Sequence, residues 1–183
     1  MPDGVTPVAL PAGVTLRLVG IDDGPALAAA RRRDREHLAP WEPVRPEGFE
    51  DVDQHVDRIR DQLDGHRAGR LVPYVLEQDG RIVGSLTVSD VVLGAFCSAH
   101  VGYWLASDLT GHGVMTAAVR ASAVQARDVL GLHRLQAATL PHNTPSQHVL
   151  ARAGFEQIGY APAYLQIAGR WQDHVLFQRI LHD

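Results

Sequence analysis

The chain is predicted to fold as one mixed α/β domain, and three features of its sequence carry that prediction. Runs in which apolar residues alternate with polar ones interchange with runs in which they recur at helical spacing. An Asp79-Gly80 pair stands between two alternating runs, the signature of a tight hairpin. A length of 183 residues supplies one substantial core and leaves little room for a second. The predicted order is a strand, two helices, three strands, a helix, a strand, a helix and two strands.

Residues 1–13 are rich in Pro and Gly and are expected to be irregular, with the domain occupying 14–183. Val14 to Val19 alternates as a strand does. Asp22 and Asp23 stand where a helix N-cap is expected, before the Ala-rich stretch from Pro25 to Ala30. That helix is predicted to run to about Leu38. Pro40, Pro43 and Pro46 then force a loop. Glu50 to about Gly65 reads as a second helix, with acidic residues favoured by the dipole in its first turn. Its apolar positions are Val52, Val56, Ile59 and Leu63.

From Leu71 the period becomes two. VPYVLE and RIVGSLTV flank Asp79-Gly80, and a further strand, about Ser98 to Ala106, contains HVGYWLA. After Gly111 the residues Met115, Ala118, Val119, Ser122, Ala126, Val129 and Leu130 share a helical face, which Gly131 can end. HRLQAATL is a strand. Asn143 or Thr144 can cap a short helix ending at Gly154, and two strands joined near Ala168-Gly169 complete the chain.

Charge and composition exclude several classes. A formal net charge of -4 gives no general attraction to phosphate backbones, so no nucleic-acid partner is expected. The single Cys97 cannot form an internal disulfide and reads as a small buried residue. No apolar run is long enough to cross a bilayer, and the N-terminus lacks a basic and an apolar region in series, so a cytoplasmic protein without membrane association is expected. His142 and His148 suit no common metal pair, and no metal is expected.

The segment richest in chemistry is Val101 to Val119, VGYWLASDLTGHGVMTAAV. A strand ends, a loop carries Gly111 and Gly113, and a helix begins at once. Such a junction aims unpaired backbone N–H groups at one spot with the positive end of a helix dipole behind them. Glycines let a phosphate approach the backbone closely. The loop lacks the Lys of a phosphate-binding GxxxxGK[ST] motif and the third glycine of GxGxxG. Taken alone it is equally well a plain strand-to-helix turn.

Its neighbours change the balance. YWLASD, LTGHGVMT, HRLQAATLPHN and NTPSQHVLARAGFEQIGY, in that order, resemble the acetyl-CoA core of the GNAT superfamily. HLAPWEP, GYWL, N..S..VL...GF and GRWQDHVLF are similar to phrases of its ribosomal-protein N-acetyltransferase (RimJ/RimL-like) branch. The resemblance implies a mostly antiparallel central sheet with flanking helices, split between its two central strands. It implies that acetyl-CoA is the cosubstrate. Its pantetheine arm would lie along Tyr103, Trp104 and Leu105, and its pyrophosphate on amides from Gly111, His112, Gly113, Val114, Met115 and Thr116. Thr110 stands where the superfamily carries Arg or Gln, and Met115 where it carries Gly or Ala, so the cradle is backbone alone. Asn143 would bind the pantetheine arm and also suits a helix cap.

For catalysis the resemblance implies direct transfer to a neutral amine. The Tyr that many relatives use as acid is absent, since Leu150 stands there; Ser146 is the candidate acid and also suits a first helical turn. His100 occupies the position where relatives often carry Glu; an imidazole can accept a proton near neutral pH, and a solvent-facing strand histidine is the competing reading. Trp41, Tyr164 and Trp171 stand in segments that wall the acceptor site in relatives, or serve packing. The expected acceptor is a protein N-terminal α-amino group of ribosomal type. A small amine or aminoglycoside, succinyl-CoA as donor, and a non-catalytic acyl-CoA-binding module stand as alternatives, as do a monomer and a homodimer.

Overall fold

The alternating segments assemble into one eight-stranded sheet in a computed structural model that describes residues 4–182. The strands are β1 (Val8–Ala9), β2 (Thr15–Leu18), β3 (Val72–Gln78), β4 (Arg81–Val92), β5 (Ser98–Leu105), β6 (Arg134–Thr139), β7 (Glu156–Ile167) and β8 (Arg170–Ile180), in the order β1-β2-β3-β4-β5-β6-β8-β7. The helices are α1 (Gly24–Arg33), α2 (Arg35–Leu38), α3 (Val52–Arg67), α4 (Val114–Asp128) and α5 (Thr144–Arg152). Every neighbouring pair is antiparallel except β5 with β6. The β3–β4 turn takes the form its sequence demands, with Asp79 at φ 49° and Gly80 at φ 76°.

Alternation along β3 divides the core between two faces. Tyr74 and Leu76 point into a large cluster with Leu86, Val101, Val119 and Leu150, against which α4 buries Val114, Met115 and Ala118. Val75 points the other way, into a smaller cluster of Val19, Leu27, Ala30, Ile59 and Ile82 beneath α1 and α3. Leu86, Leu135 and Leu150 are fully buried, each worth about 1.5–3 kcal/mol of transfer free energy. No helix among the described residues is long and apolar enough to cross a membrane.

Two expectations need correction. The segment expected to be irregular contains β1, which pairs Val8 with Leu16 and Ala9 with Thr15, because β2 would otherwise present an unpaired edge; residues 1–3 and 183 of the expected boundaries lie outside the described residues. The first helix is interrupted at Asp34, which separates α1 from α2. Its carboxylate is turned inward and accepts from the Ser107 amide at 3.0 Å and the Ser107 hydroxyl at 2.9 Å. Ser107 opens the turn after β5, so this contact ties the helical layer to the end of that strand.

Burial alone would raise the Asp34 carboxyl, yet the Ser107 bonds and Arg33 outweigh it and hold the group below the ordinary carboxylate range. A depressed carboxyl contributes stability above its unfolded pKa of about 3.9 and loses it as pH falls through the folded value. Asp34→Ala is therefore expected to destabilise the fold by roughly 1–3 kcal/mol at pH 7, since it removes two hydrogen bonds to a charged acceptor. Denaturant melts at pH 7 and pH 3 measure this, and the gap between variant and parent should narrow at pH 3.

Candidate active site at the split strand

β5 and β6 begin as a parallel pair and then diverge. Their ladder joins Ser98 to Arg134, Ala99 to Leu135 and His100 to Gln136, and stops there. On the other side β5 stays bonded to β4 through Leu105. Tyr103, Trp104 and Leu105 thus form one wall of a wedge-shaped slot. Backbone groups alternate in direction along a strand, so some of theirs point into the slot. This is the split that the sequence leads one to expect.

The open end of the slot leads into α4. A short 3-10 turn, Ser107–Leu109, precedes Thr110, Gly111, His112 and Gly113. Gly111 has φ 80° and Gly113, the N-cap of α4, has φ 75°, a region that penalises other residues. A Cβ built on either meets nothing within 4 Å, so both face open space. Within α4, Ala117 donates to the Gly113 carbonyl at 3.0 Å, so the amides of Val114, Met115 and Thr116 precede the first turn that can satisfy them. No acidic residue stands in this turn. The cradle suits a phosphate by backbone alone, because Val114 and Met115 are buried and the Thr110 hydroxyl donates back to the Ser107 carbonyl at 2.9 Å. His112 is exposed, and its Nδ1 lies 3.0 Å from the Thr110 carbonyl. Thr116 is half-buried.

Across the slot, Asn143, Ser146 and Tyr103 form one connected group. Asn143 caps α5, its side-chain oxygen accepting from the Ser146 amide at 3.2 Å. The Ser146 hydroxyl lies 2.9 Å from the Tyr103 hydroxyl, which also contacts the Ser146 carbonyl at 3.3 Å. Burial pushes the Tyr103 phenol up to about 12, against the opposing effect of the Ser146 bond. Leu150 lies fully buried in the large core cluster. Its position is occupied by packing.

His100 sits at the vertex, the last β5 residue paired with β6. Its Nδ1 is 3.7 Å from Asp90 Oδ2, beyond hydrogen-bond range. Strand alternation puts His100, Gly102 and Trp104 on one face of β5 and Tyr103 on the other. Their partners on β4 are Ser89, Thr87 and Ser85, so this face is polar.

Trp104 on that face borders the inner of two cavities, and His100 lines neither. The inner one, about 230 Å³, lies between Trp104, Ser85 and Thr87 on the sheet and residues of α1 and α3. The outer one, about 620 Å³, runs under the loop between α2 and α3 as far as Ala168, whose amide donates to the Glu42 carbonyl at 3.0 Å. Arg31, Arg45 and Phe49 line both. Trp41, Tyr164 and Trp171 line neither. Trp41 packs on His142 with ring centroids 5.6 Å apart, Tyr164 on His174, and Trp171 is exposed. Cys97 is not the buried residue expected. It is half-buried in a turn at φ 39°, with its thiol donating to the Gly131 carbonyl at 3.3 Å.

A family model described as an acetyltransferase (GNAT) domain matches residues 14–156. The chain belongs to the GNAT acetyltransferases. It is 35% identical over 165 residues to the [ribosomal protein uS5]-alanine N-acetyltransferase of Escherichia coli (strain K12), which spans 89% of this chain and 85% of that protein. Among solved structures it is similar to Mycobacterium smegmatis RimJ in complex with CoA-disulfide, at 39% identity and TM-score 0.91, covering 98% of this chain and 88% of that one. It is also similar to the ribosomal-protein-S5-alanine acetyltransferase of Vibrio fischeri, at 32% identity and TM-score 0.93, covering 97% and 98%.

Sequence reasoning assigned this GNAT chain a backbone role at Tyr103 and missed its hydroxyl. It also missed the cluster of Arg31, Arg45, Arg58 and Phe49, which only the fold brings together from two helices and a loop. Among the described residues no group of three or more His, Cys, Asp or Glu is arranged to hold a metal.

Proposed function

We propose that the protein acetylates the N-terminal α-amino group of a protein, foremost a ribosomal protein, with acetyl-CoA as the acetyl donor. The observation that carries this reading is the continuity of the slot with a bare helix N-terminus: unpaired edge groups of Tyr103–Leu105 run directly into free amides at Gly113–Thr116. A phosphate-bearing thioester fits that path. The similarity to uS5-alanine N-acetyltransferase supplies the acceptor class.

Two faces of one strand divide the proton work. An incoming amine must lose a proton, and the departing thiolate must gain one, on opposite sides of the carbonyl carbon. In this reading His100 takes the amine proton on the cavity face. Ser146, hydrogen-bonded to Tyr103 on the α4 and α5 face, supplies the proton to the sulfur. Backbone N–H groups of the slot wall hold the oxyanion. Asn143 serves by capping α5 and so fixing Ser146, with its amide group left to bind the pantetheine arm.

A non-catalytic acyl-CoA-binding module is favoured only by Leu150, and the Tyr103–Ser146 pair supplies a hydroxyl beside the slot without it. A polycationic aminoglycoside suits the inner cavity poorly, because three arginines and no carboxylate line it. Mass spectrometry of alanine-initiated peptides, with a polyamine and an aminoglycoside in parallel, tests the acceptor. The chain has no lysine, so its own side chains do not consume acetyl groups. Acetylation confined to peptide α-amines is the expected result. Turnover of the small amines alone would overturn the acceptor, and CoA binding without turnover of any amine would favour the binding module.

A further inference from the structure

The inner cavity carries a charge pattern that a simple amine site does not need. Three guanidinium groups surround the Phe49 ring: Arg58 at 3.9 Å from its centroid, Arg45 at 4.5 Å and Arg31 at 5.2 Å. Arg31 also stacks 5.1 Å from the Trp104 ring. The ring faces offset part of the mutual repulsion. Glu42 pairs with both Arg31 and Arg45 but not with Arg58, and it lines the outer cavity rather than the inner one. Arg58 donates to the Phe49 carbonyl at 2.8 Å and to Gln54 Oε1 at 2.9 Å, both uncharged. The lining of the inner cavity therefore holds three cations and no carboxylate.

Two buried groups are left without partners there. Arg31 is 6% exposed and its second guanidinium nitrogen, Nη1, has no hydrogen-bond partner; His55 is 6% exposed and its Nε2 has none. Both side chains line the inner cavity. Unpaired buried polar atoms are uncommon in native proteins, and those bordering a cavity mark where a ligand atom completes the bonding. His55 is pushed down to about 4 by burial and by Arg58, Arg31 and Arg32, so at neutral pH it adds no further charge. Burial, followed by Arg45 and Arg31, also depresses Arg58. An anion would relieve both.

We propose that this cavity is an anion subsite of the acceptor groove, which binds a carboxylate side chain close to the reacting amine of an acidic peptide N-terminus. The proposal rests on the acceptor reading above and narrows it. Trp104 lines the cavity, and its neighbours Tyr103 and Leu105 border the slot where β5 has parted from β6. An extended peptide advances about 3.3–3.6 Å per residue, so the carboxylate belongs to one of the first few residues after the amine. Guanidinium groups bind carboxylates through paired hydrogen bonds, and replacing Glu by Gln removes the charge with little change in shape.

The test uses the intact protein and alanine-initiated peptides that carry Glu or Gln at position two, three, four or five. Binding to the CoA-loaded protein is measured by calorimetry and acetylation by mass spectrometry. At one position Glu should be favoured over Gln by about tenfold or more in Kd and in kcat/KM. That preference should collapse in Arg58→Gln and in Arg45→Gln, with the Kd for CoA unaltered. The more exposed Arg45 guards against a folding artefact at Arg58. Glu peptides that bind preferentially without being acetylated would keep the subsite and sink N-terminal acetylation. Acetylation with no Glu preference at any position, no binding of the Glu peptides, or a preference that survives both substitutions would overturn the subsite.

Discussion

Gly113→Trp is expected to weaken acetyl-CoA binding by about 100-fold or more, equivalent to roughly 2.7 kcal/mol or more. Two physical effects act together at this position. The residue caps α4 at φ 75°, where a side chain adds about 1–2 kcal/mol of strain. The space before its Cβ is open, so the indole would occupy the volume that the phosphates need rather than collide with the protein. Gly113→Ala separates these effects, because a methyl group brings the strain without filling the cradle. Calorimetry should therefore rank parent, Ala and Trp in that order. In the parent, acetyl-CoA at 100 times its Kd should stabilise the fold by about 2.7 kcal/mol, and the same concentration should stabilise the Trp variant by about 0.4 kcal/mol or less. An unchanged ligand-induced melting shift in a folded Trp variant would remove the phosphates from this loop.

The path from sequence to site was uneven for reasons that lie in the residues themselves. Local signals read well. Asp79-Gly80 specifies its turn because both residues must take positive φ, and the α4 face follows from the spacing of Met115, Ala118 and Val119. The glycine loop was legible because free amides and left-handed glycines are properties of a short contiguous segment. Contacts between distant segments read poorly. Asp34 looks like an ordinary helical residue until Ser107, far along the chain, draws its carboxylate inward and breaks the helix. The arginines around Phe49 come from α1, a loop and α3, and nothing in their spacing announces that they converge. Val52 shows the limit of periodicity itself: it was expected on the inner face of α3, yet it is partly exposed while His55 is buried. The preceding loop brings Phe49 over that histidine, with ring centroids 5.6 Å apart, and that tertiary contact decides which side is inside.

Ser146→Ala and Tyr103→Phe are each expected to lower kcat by about 100-fold, and the double variant by little more than either alone. Neither change should disturb the helix start, because Asn143 caps the backbone amide of Ser146 and not its hydroxyl. The loss in stability from one hydrogen bond is correspondingly modest, about 0.5–1.5 kcal/mol. Non-additivity is the decisive feature. If Tyr103 acts by orienting the Ser146 hydroxyl, removing the first group makes the second almost useless, whereas two independent contributions would multiply. The pH profile supplies a separate check. Burial raises the Tyr103 phenol to about 12, so it keeps its proton throughout the neutral and mildly alkaline range. No alkaline fall in kcat should arise from this pair below about pH 11. Single variants that each retain parental kcat would leave the departing thiolate to be protonated by solvent, and the hydroxyl pair would be a structural bridge between β5 and α5.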